Sequence, residues 1–170
     1  MWNLNGIICY IGIGSNSGHA LQNCQKAIEN LLQKEEIQLT GVSSFYRSEP
    51  VGWENQNWFV NAVVENRTTL SAREILNILL GIEISMGRKR EIKGGPRIID
   101  LDLLFHGQDI INEVDLVVPH PELHKRRFVL EPLNEIASYF IHPAFGISVR
   151  GLKDRLQDEK IVELIENINR

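Results

Sequence analysis

The chain has 170 residues, 43% of them hydrophobic, with 18 Lys and Arg against 22 Asp and Glu. That length suits one domain, residues 1–170, with a full core, and a formal net charge of −4 provides no general field for nucleic acid or an anionic membrane. The apolar run 7–13 is too short to span a bilayer and follows no basic segment, so a cytoplasmic protein without membrane partners is expected.

Ile7-Ile8-Cys9-Tyr10-Ile11 is a continuous apolar run that predicts a buried strand, ended by a turn at Gly12-Ile13-Gly14-Ser15-Asn16. Leu21, Cys24, Ile28, Leu31 and Leu32 recur every three or four residues and predict a helix over 18–34. Cys9 and Cys24 lack C-x-x-C spacing and read as buried reduced thiols. A strand is expected over 37–46, where the irregular interval between Leu39, Val42 and Phe45 permits a bulge. Pro50 and Gly52 break it, a loop over 48–56 carries Trp53, and residues 58–64 form the next strand. Ser71-Ala72-Arg73-Glu74 is a capping box that opens a second helix with Ala72, Ile75, Leu76, Leu79 and Ile82 as its buried stripe. A basic loop leads to a strand over 97–106, which completes the order βαββαβ. Two helices on one face of an antiparallel sheet give a ferredoxin-like α+β sandwich. After a loop centred on Pro119-His120-Pro121, helices are expected over 128–137 and 152–168, as C-terminal helical additions.

The chemistry concentrates in the last of those strands. In Gly95-Pro96-Arg97-Ile98-Ile99-Asp100-Leu101-Asp102-Leu103, Asp100 and Asp102 share one face with Cα atoms roughly 6 to 7 Å apart, while Ile99, Leu101 and Leu103 face a core. Side by side the carboxylates repel, and hard oxygen donors of this kind suit Mg²⁺ with substrate phosphates; a solvated strand face is the other reading. The preceding loop, Gly87 to Arg97, holds five cations and one acid. A second cationic stretch, His120-Pro121-Glu122-Leu123-His124-Lys125-Arg126-Arg127, offers His120 and Arg126 to an anion. Either cationic stretch alone reads as a solvated loop. There is no G-x-x-x-x-G-K-[ST], and the glycines at 12, 14 and 18 lack dinucleotide spacing. A flat heteroaromatic ligand would need stacking surfaces, which Phe59 and Phe128 could supply, and directed hydrogen bonds, for which Asn61 in an apolar strand is the candidate.

The ordered set Ser43-Ser44-Phe45-Tyr46-Arg47-Ser48-Glu49-Pro50-Val51-Gly52, Phe59-Val60-Asn61-Ala62, Gly95-Pro96-Arg97-Ile98-Ile99-Asp100-Leu101-Asp102, Val118-Pro119-His120-Pro121 and Arg126 to Leu133 resembles the 6-hydroxymethyl-7,8-dihydropterin pyrophosphokinases of folate biosynthesis, over residues 7–145. The resemblance implies the same ferredoxin-like fold, and transfer of the terminal diphosphate of ATP to the pterin hydroxymethyl oxygen with release of AMP. It further implies two Mg²⁺ ions on Asp100 and Asp102. By the same resemblance Asn61 binds the pterin edge, Phe59 and Phe128 flank its ring, and Ser48, Glu49 and Val51 complete that pocket. Arg88 and Arg97 fall on catalytic arginines of mobile loops, and Glu83, Arg90, His120 and Arg126 on ATP-contacting positions. A monomer is expected, with a dimer left open.

Three departures from the family pattern stand out. The loop has Gly94-Gly95-Pro96-Arg97 where relatives commonly carry Trp-Gly-Pro-Arg, which leaves Trp53 or Trp58 as the available indoles. It is also one residue shorter than in some relatives, and Asp115 stands where some have an arginine. The competing classes are a non-catalytic nucleotide- or pterin-binding module and a ferredoxin-like RNA-binding domain. The second lacks aromatic RNP positions and a positive charge.

Overall fold

The apolar N-terminal run and the aspartate strand, far apart in sequence, lie side by side in one sheet, the aspartate strand at its edge. The computed structural model describes residues 6–89 and 95–165. In chain order its elements are β1 (Ile7–Ser15), α1 (Ala20–Leu32), β2 (Ile37–Val42), β3 (Tyr46–Ser48), β4 (Phe59–Thr68), α2 (Ala72–Ser85), β5 (Asp100–His106), β6 (Ile111–Asn112), β7 (Val117–Val118), α3 (Arg127–Ala137), α4 (Val149–Asp154) and β8 (Val162–Leu164). Six strands form one sheet in the order β5-β1-β4-β3-β8, with β2 also paired to β4, and β6 and β7 make a separate ribbon. Every pairing in the large sheet is antiparallel. This is a mixed α/β architecture in which β4 lies antiparallel between β1 and β2.

Alternation along the strands gives the sheet two apolar faces. Cys9, Ile11, Ile13, Leu101 and Leu103 point to α1 and α2, where Cys24, Leu31, Ile75 and Leu79 meet them. Tyr10, Val63, Leu104 and Phe105 point the other way, to Leu130 and Leu133 of α3 and Val149 of α4. Each fully buried aliphatic side chain contributes roughly 1.5–3 kcal/mol relative to exposure. Both thiols are buried and free, and burial pushes each up to about 12, which leaves them inert as nucleophiles.

One irregularity decides which face the aspartates take. Tyr10 opposes Phe105, yet Ile11 opposes Leu103, so the register slips by one residue and Leu104 is bulged. With unbroken pairing Leu103 would lie opposite Gly12 and Asp102 would point at the helices. The bulge keeps Phe105 in the α3 core and turns Asp102 and Asp100 to the same side as Gly12 and Gly14, a re-aiming that bulges accomplish next to functional sites.

Several expectations change. The turn at 12–16 is not one: β1 continues to Ser15 because β4 and β5 flank it through Gly14. The strand expected over 37–46 divides into β2 and β3, both paired to β4. At the break Ser43 donates its N–H to Val63 O at 2.9 Å and accepts Val63 N–H on Oγ at 2.8 Å, so a side chain replaces a backbone partner. The bulge permitted in this segment occurs between Leu39 and Gly41. The helix expected over 152–168 is α4, which ends at Asp154, followed by β8. β3 otherwise has an open edge, and Val162 to Leu164 satisfy it, so tertiary pairing overrides the helical spacing. No helix among the described residues is long and apolar enough to cross a membrane.

The capping box forms as read: Ser71 Oγ accepts Glu74 N–H at 3.2 Å and Glu74 Oε2 accepts Ser71 N–H at 2.9 Å. Ser71→Ala is expected to lower stability by about 1 kcal/mol, measured by urea denaturation. An unchanged midpoint would mean that packing of the buried stripe alone holds the start of α2.

Candidate active site

At one end of the sheet the two glycines of β1 sit between functional side chains. Gly14 lies between Asn61 on β4 and Asp100 on β5, and Gly12 between Val63 and Asp102. Strands two apart are roughly 10 Å from one another, so the missing side chains leave a floor with an amide on one bank and carboxylates on the other. A Cβ on Gly14 would lie 3.0 Å from Asn61 Oδ1. The resulting cavity measures about 200 Å³, and Ser48, Glu49, Val51, Phe59, Asn61, Arg97, Asp100, Asp102, Arg126 and Phe128 all line it. Sequence reasoning missed Gly12 and Gly14. Their signal was present, because isolated glycine in a strand marks close approach of a ligand or backbone.

On the β4 bank Asn61 is buried and donates through Nδ2 to Ser48 Oγ at 2.5 Å. That bond fixes the amide plane with Oδ1 toward Gly14. Phe59, two residues earlier on the same face, and Phe128 at the start of α3 are each part-exposed, which leaves ring surface available for stacking. The Arg126 guanidinium lies 5.6 Å from the Phe128 ring centre, within cation–π range.

The β5 bank is a charge cluster. Arg88 donates to Asp100 Oδ1 at 2.8 Å and also to Glu83 Oε2, and Arg97 donates to Asp100 Oδ2 at 2.5 Å. Glu83, buried at the end of α2, also accepts Leu101 N–H at 2.9 Å, which ties the helix to the aspartate strand. Asp102 takes no hydrogen bond or ion pair from the described residues. Burial first, then the charges of Asp100 and Glu83, hold its carboxyl well above the ordinary carboxylate range. Glu83 is raised as well, mainly by burial. Asp100 is thus paired with arginines while Asp102 faces the cleft as an uncompensated acid.

His120, Glu83 and Arg88 stand just behind the lining. His120 accepts Glu122 N–H on Nδ1 at 3.1 Å, which leaves the proton on Nε2. Burial, and then Arg126, hold its imidazole below the usual histidine range, so it is neutral at pH 7. Arg90 lies outside the described residues, as does Gly94. Neither indole among the described residues lines the cavity: Trp58 stacks under Arg47, 4.4 Å from its ring centre, and Trp53 is exposed on its loop. Asp115 accepts from Arg73 at 2.7 Å, at the first turn of α2.

Asn16, which the sequence did not single out, joins the two rims. Its Nδ2 donates to Gln56 Oε1 at 2.9 Å and Asn57 O at 3.1 Å, while its Oδ1 accepts Arg97 N–H at 2.7 Å. The loop after Ser48 and the arginine beside the aspartates are therefore held by one buried amide.

A carboxyl whose folded value is raised lowers stability as pH climbs past the ordinary carboxylate range, because the unfolded chain gives up that proton first. Without divalent cations, Asp102→Asn is expected to match the parent at about pH 4 and exceed it by on the order of 1 kcal/mol at about pH 8. Urea titrations at both pH values measure this, and a less stable variant at the higher pH would contradict the uncompensated charge.

The 7,8-dihydro-6-hydroxymethylpterin-pyrophosphokinase (HPPK) model matches residues 10–138. The chain is 43% identical to the 2-amino-4-hydroxy-6-hydroxymethyldihydropteridine pyrophosphokinase of Bacillus subtilis, over 76% of this chain and 77% of that protein. It is 38% identical to the folic acid synthesis protein fol1 of Pneumocystis carinii over 89% of its own length but only 20% of the relative's. The Plasmodium falciparum HPPK-DHPS wild-type structure superposes with a TM-score of 0.70 at 14% identity, covering 89% of this chain and 45% of that one, a likeness of fold. Every residue that lines the cavity falls inside the matched region, and the chain belongs to the 7,8-dihydro-6-hydroxymethylpterin-pyrophosphokinase family.

Proposed function

We propose that this protein transfers the terminal diphosphate of ATP to the hydroxymethyl oxygen of 6-hydroxymethyl-7,8-dihydropterin, giving AMP and the pterin diphosphate, on a ferredoxin-like βαββαβ core extended by β3, β8, α3 and α4. The observation that carries this reading is the glycine floor, with a buried, pre-aimed Asn61 amide on one side and the Asp100 and Asp102 carboxylates on the other. A hydrogen-bonding heterocycle fits the first bank and a cation-bound triphosphate the second. Membership of the family supplies the chemistry that links them.

The residues fit Mg²⁺. Asp100 and Asp102 present hard oxygen donors on one strand face, and Asp102 has no ion-pair partner among the described residues, only the more distant charges of Arg126 and Arg97. Two Mg²⁺ ions held by these carboxylates would neutralise phosphate charge and align the reacting oxygens. In the step itself the pterin hydroxymethyl oxygen bonds to the β-phosphorus, the bond from that phosphorus to the oxygen bridging it to the α-phosphorus breaks, that oxygen leaves on AMP, and the hydroxyl proton is lost.

The chain's own groups contribute binding, direction and charge. Asn61 reads the pterin edge while Ser48 holds its amide, Phe59 and Phe128 sandwich the ring, and Glu49 and Val51 close the rim. Arg97 and Arg88 hold Asp100, and both carry guanidinium forks suited to phosphoryl oxygens. Arg126 and neutral His120 lie where a triphosphate would pass from the aspartates toward α3, with Glu83 at its other end, and Arg90 is assigned to ATP by the family resemblance alone. Exclusion of water by the rims would limit wasteful hydrolysis of ATP.

With ATP, Mg²⁺ and the hydroxymethyl dihydropterin, AMP is the expected nucleotide product by chromatography; ADP would overturn the reading, and tight binding of both substrates without AMP would mark a binding module instead. Asp100→Ala and Asp102→Ala are each expected to lower kcat by on the order of 10²–10³ with a folded circular-dichroism spectrum. Parent-like turnover in either would reject the carboxylate clamp.

A further inference from the structure

Residues 158–165 form a strap that lies beyond the region matched by the family model, residues 10–138, yet it touches both ends of the pterin side of the cleft. At one end β8 pairs with β3, with Val162 opposite Ser48. Glu49 N–H donates to Ile161 O at 3.1 Å, and Ile161 N–H donates to Glu49 Oε1 at 3.2 Å. Ser48 and Glu49 both line the cavity.

At its other end the strap meets the start of α3. That helix has Arg126 at its N-cap and no capping hydrogen bond from that side chain, so its first amides need partners from elsewhere. Asp158 supplies one: Oδ2 accepts Arg127 N–H at 2.9 Å, Oδ1 accepts Lys160 N–H at 2.9 Å, and the Asp158 carbonyl accepts Arg127 Nε at 3.1 Å. A carboxylate at that position also meets the positive end of the helix dipole. Arg127 is thereby turned to the strap, and its neighbours Arg126 and Phe128 line the cleft. Without the cap, the first turn of α3 would be free to fray and both side chains would lose their fixed direction.

We propose that Asp158 is a positioning residue, which caps α3 from the C-terminal strap and so holds Phe128 and Arg126 in register with Asn61 across the cleft. It acts through those residues and touches no substrate. The inference rests on the pyrophosphokinase reading for its substrates, and its test separates the two.

Asp158→Ala and Asp158→Asn are compared with the parent by steady-state kinetics and by hydrogen exchange of the amides at 127–130. The alanine variant is expected to raise KM for the pterin about fivefold with kcat within about twofold, and to speed exchange at 127–130 about fivefold while α2 is unchanged, the scale of one lost cap. Asparagine, an equally good cap residue, restores most of both. Should the alanine variant not fold, Asp158→Glu, which displaces the acceptor by one methylene, carries the same expectation. Parent-like KM and exchange would overturn the proposal, as would equal losses in the alanine and asparagine variants or a loss confined to kcat. If the parent makes no AMP, the function reading fails, while calorimetric pterin affinity and exchange still judge Asp158, with parent-like values overturning it.

Discussion

The pairing register of β1 against its two neighbours is the constraint on which the rest depends. Side chains alternate with a period of two, so a one-residue slip moves every group to the opposite face. The bulge at Leu104 is such a slip, confined to one strand. It lets Phe105 stay in the core under α3, with Tyr10 and Phe140 against it, while Asp100 and Asp102 turn toward the hollow over Gly12 and Gly14. Were the bulge removed, the carboxylates would point into the apolar layer beneath α1 and α2, at a desolvation cost the fold could not carry.

The second organising feature is an unfinished balance of charge. Glu83, Asp100 and Asp102 converge from α2 and β5, and Arg88 and Arg97 answer Glu83 and Asp100. Asp102 faces only the more distant fields of Arg126 and Arg97, which oppose the effects of burial and of its acidic neighbours without overcoming them. A structure selected for stability alone would carry an amide or an apolar group there. The carboxylate is kept here, and the elements around it are held by the buried Glu83 bond to Leu101 N–H and the Asn16 latch on Arg97. The two banks differ accordingly. The Asn61 amide is held by a hydrogen bond to Ser48, whereas the Asp102 carboxylate has no such partner among the described residues.

The outer layers serve this arrangement. α3 packs its apolar face on the sheet and presents its first turn to the cleft, and Glu135 near its C-terminal end accepts from Ser44 and Tyr46, which joins it to the segment between β2 and β3. The C-terminal strap completes the frame by closing the edge of β3 and supplying the cap that α3 lacks. Walls of the cleft separated by about a hundred residues in sequence are in this way tied to one another by backbone and carboxylate bonds, which hold direction better than apolar contact does.

Much of this was legible in the chain. The strand carrying Ile7 to Ile11, the capped helix at Ser71, and the shared face of Asp100 and Asp102 follow from local periodicity and local hydrogen-bonding chemistry, which act within a few residues. Asn61 declared itself as an amide in an apolar strand, and the ordered motifs pointed to the family. What local pattern could not supply were decisions made by distant partners. β1 runs through Gly12 and Gly14 because β4 and β5 hold it on both sides. Ser43 divides a strand because Val63 offers it a ladder position, and residues 162–164 are extended because β3 has an open edge. The Leu104 bulge belongs to the same class: Leu103-Leu104-Phe105 reads as a uniform apolar run, and only the competition between the two sheet faces decides which residue is skipped. The sequence by itself determined which side chains could do the chemistry, since that is a matter of functional groups and short spacing. Tertiary structure decided which way they point and what holds them there, because pairing register, burial and capping depend on groups that meet only when the chain has folded.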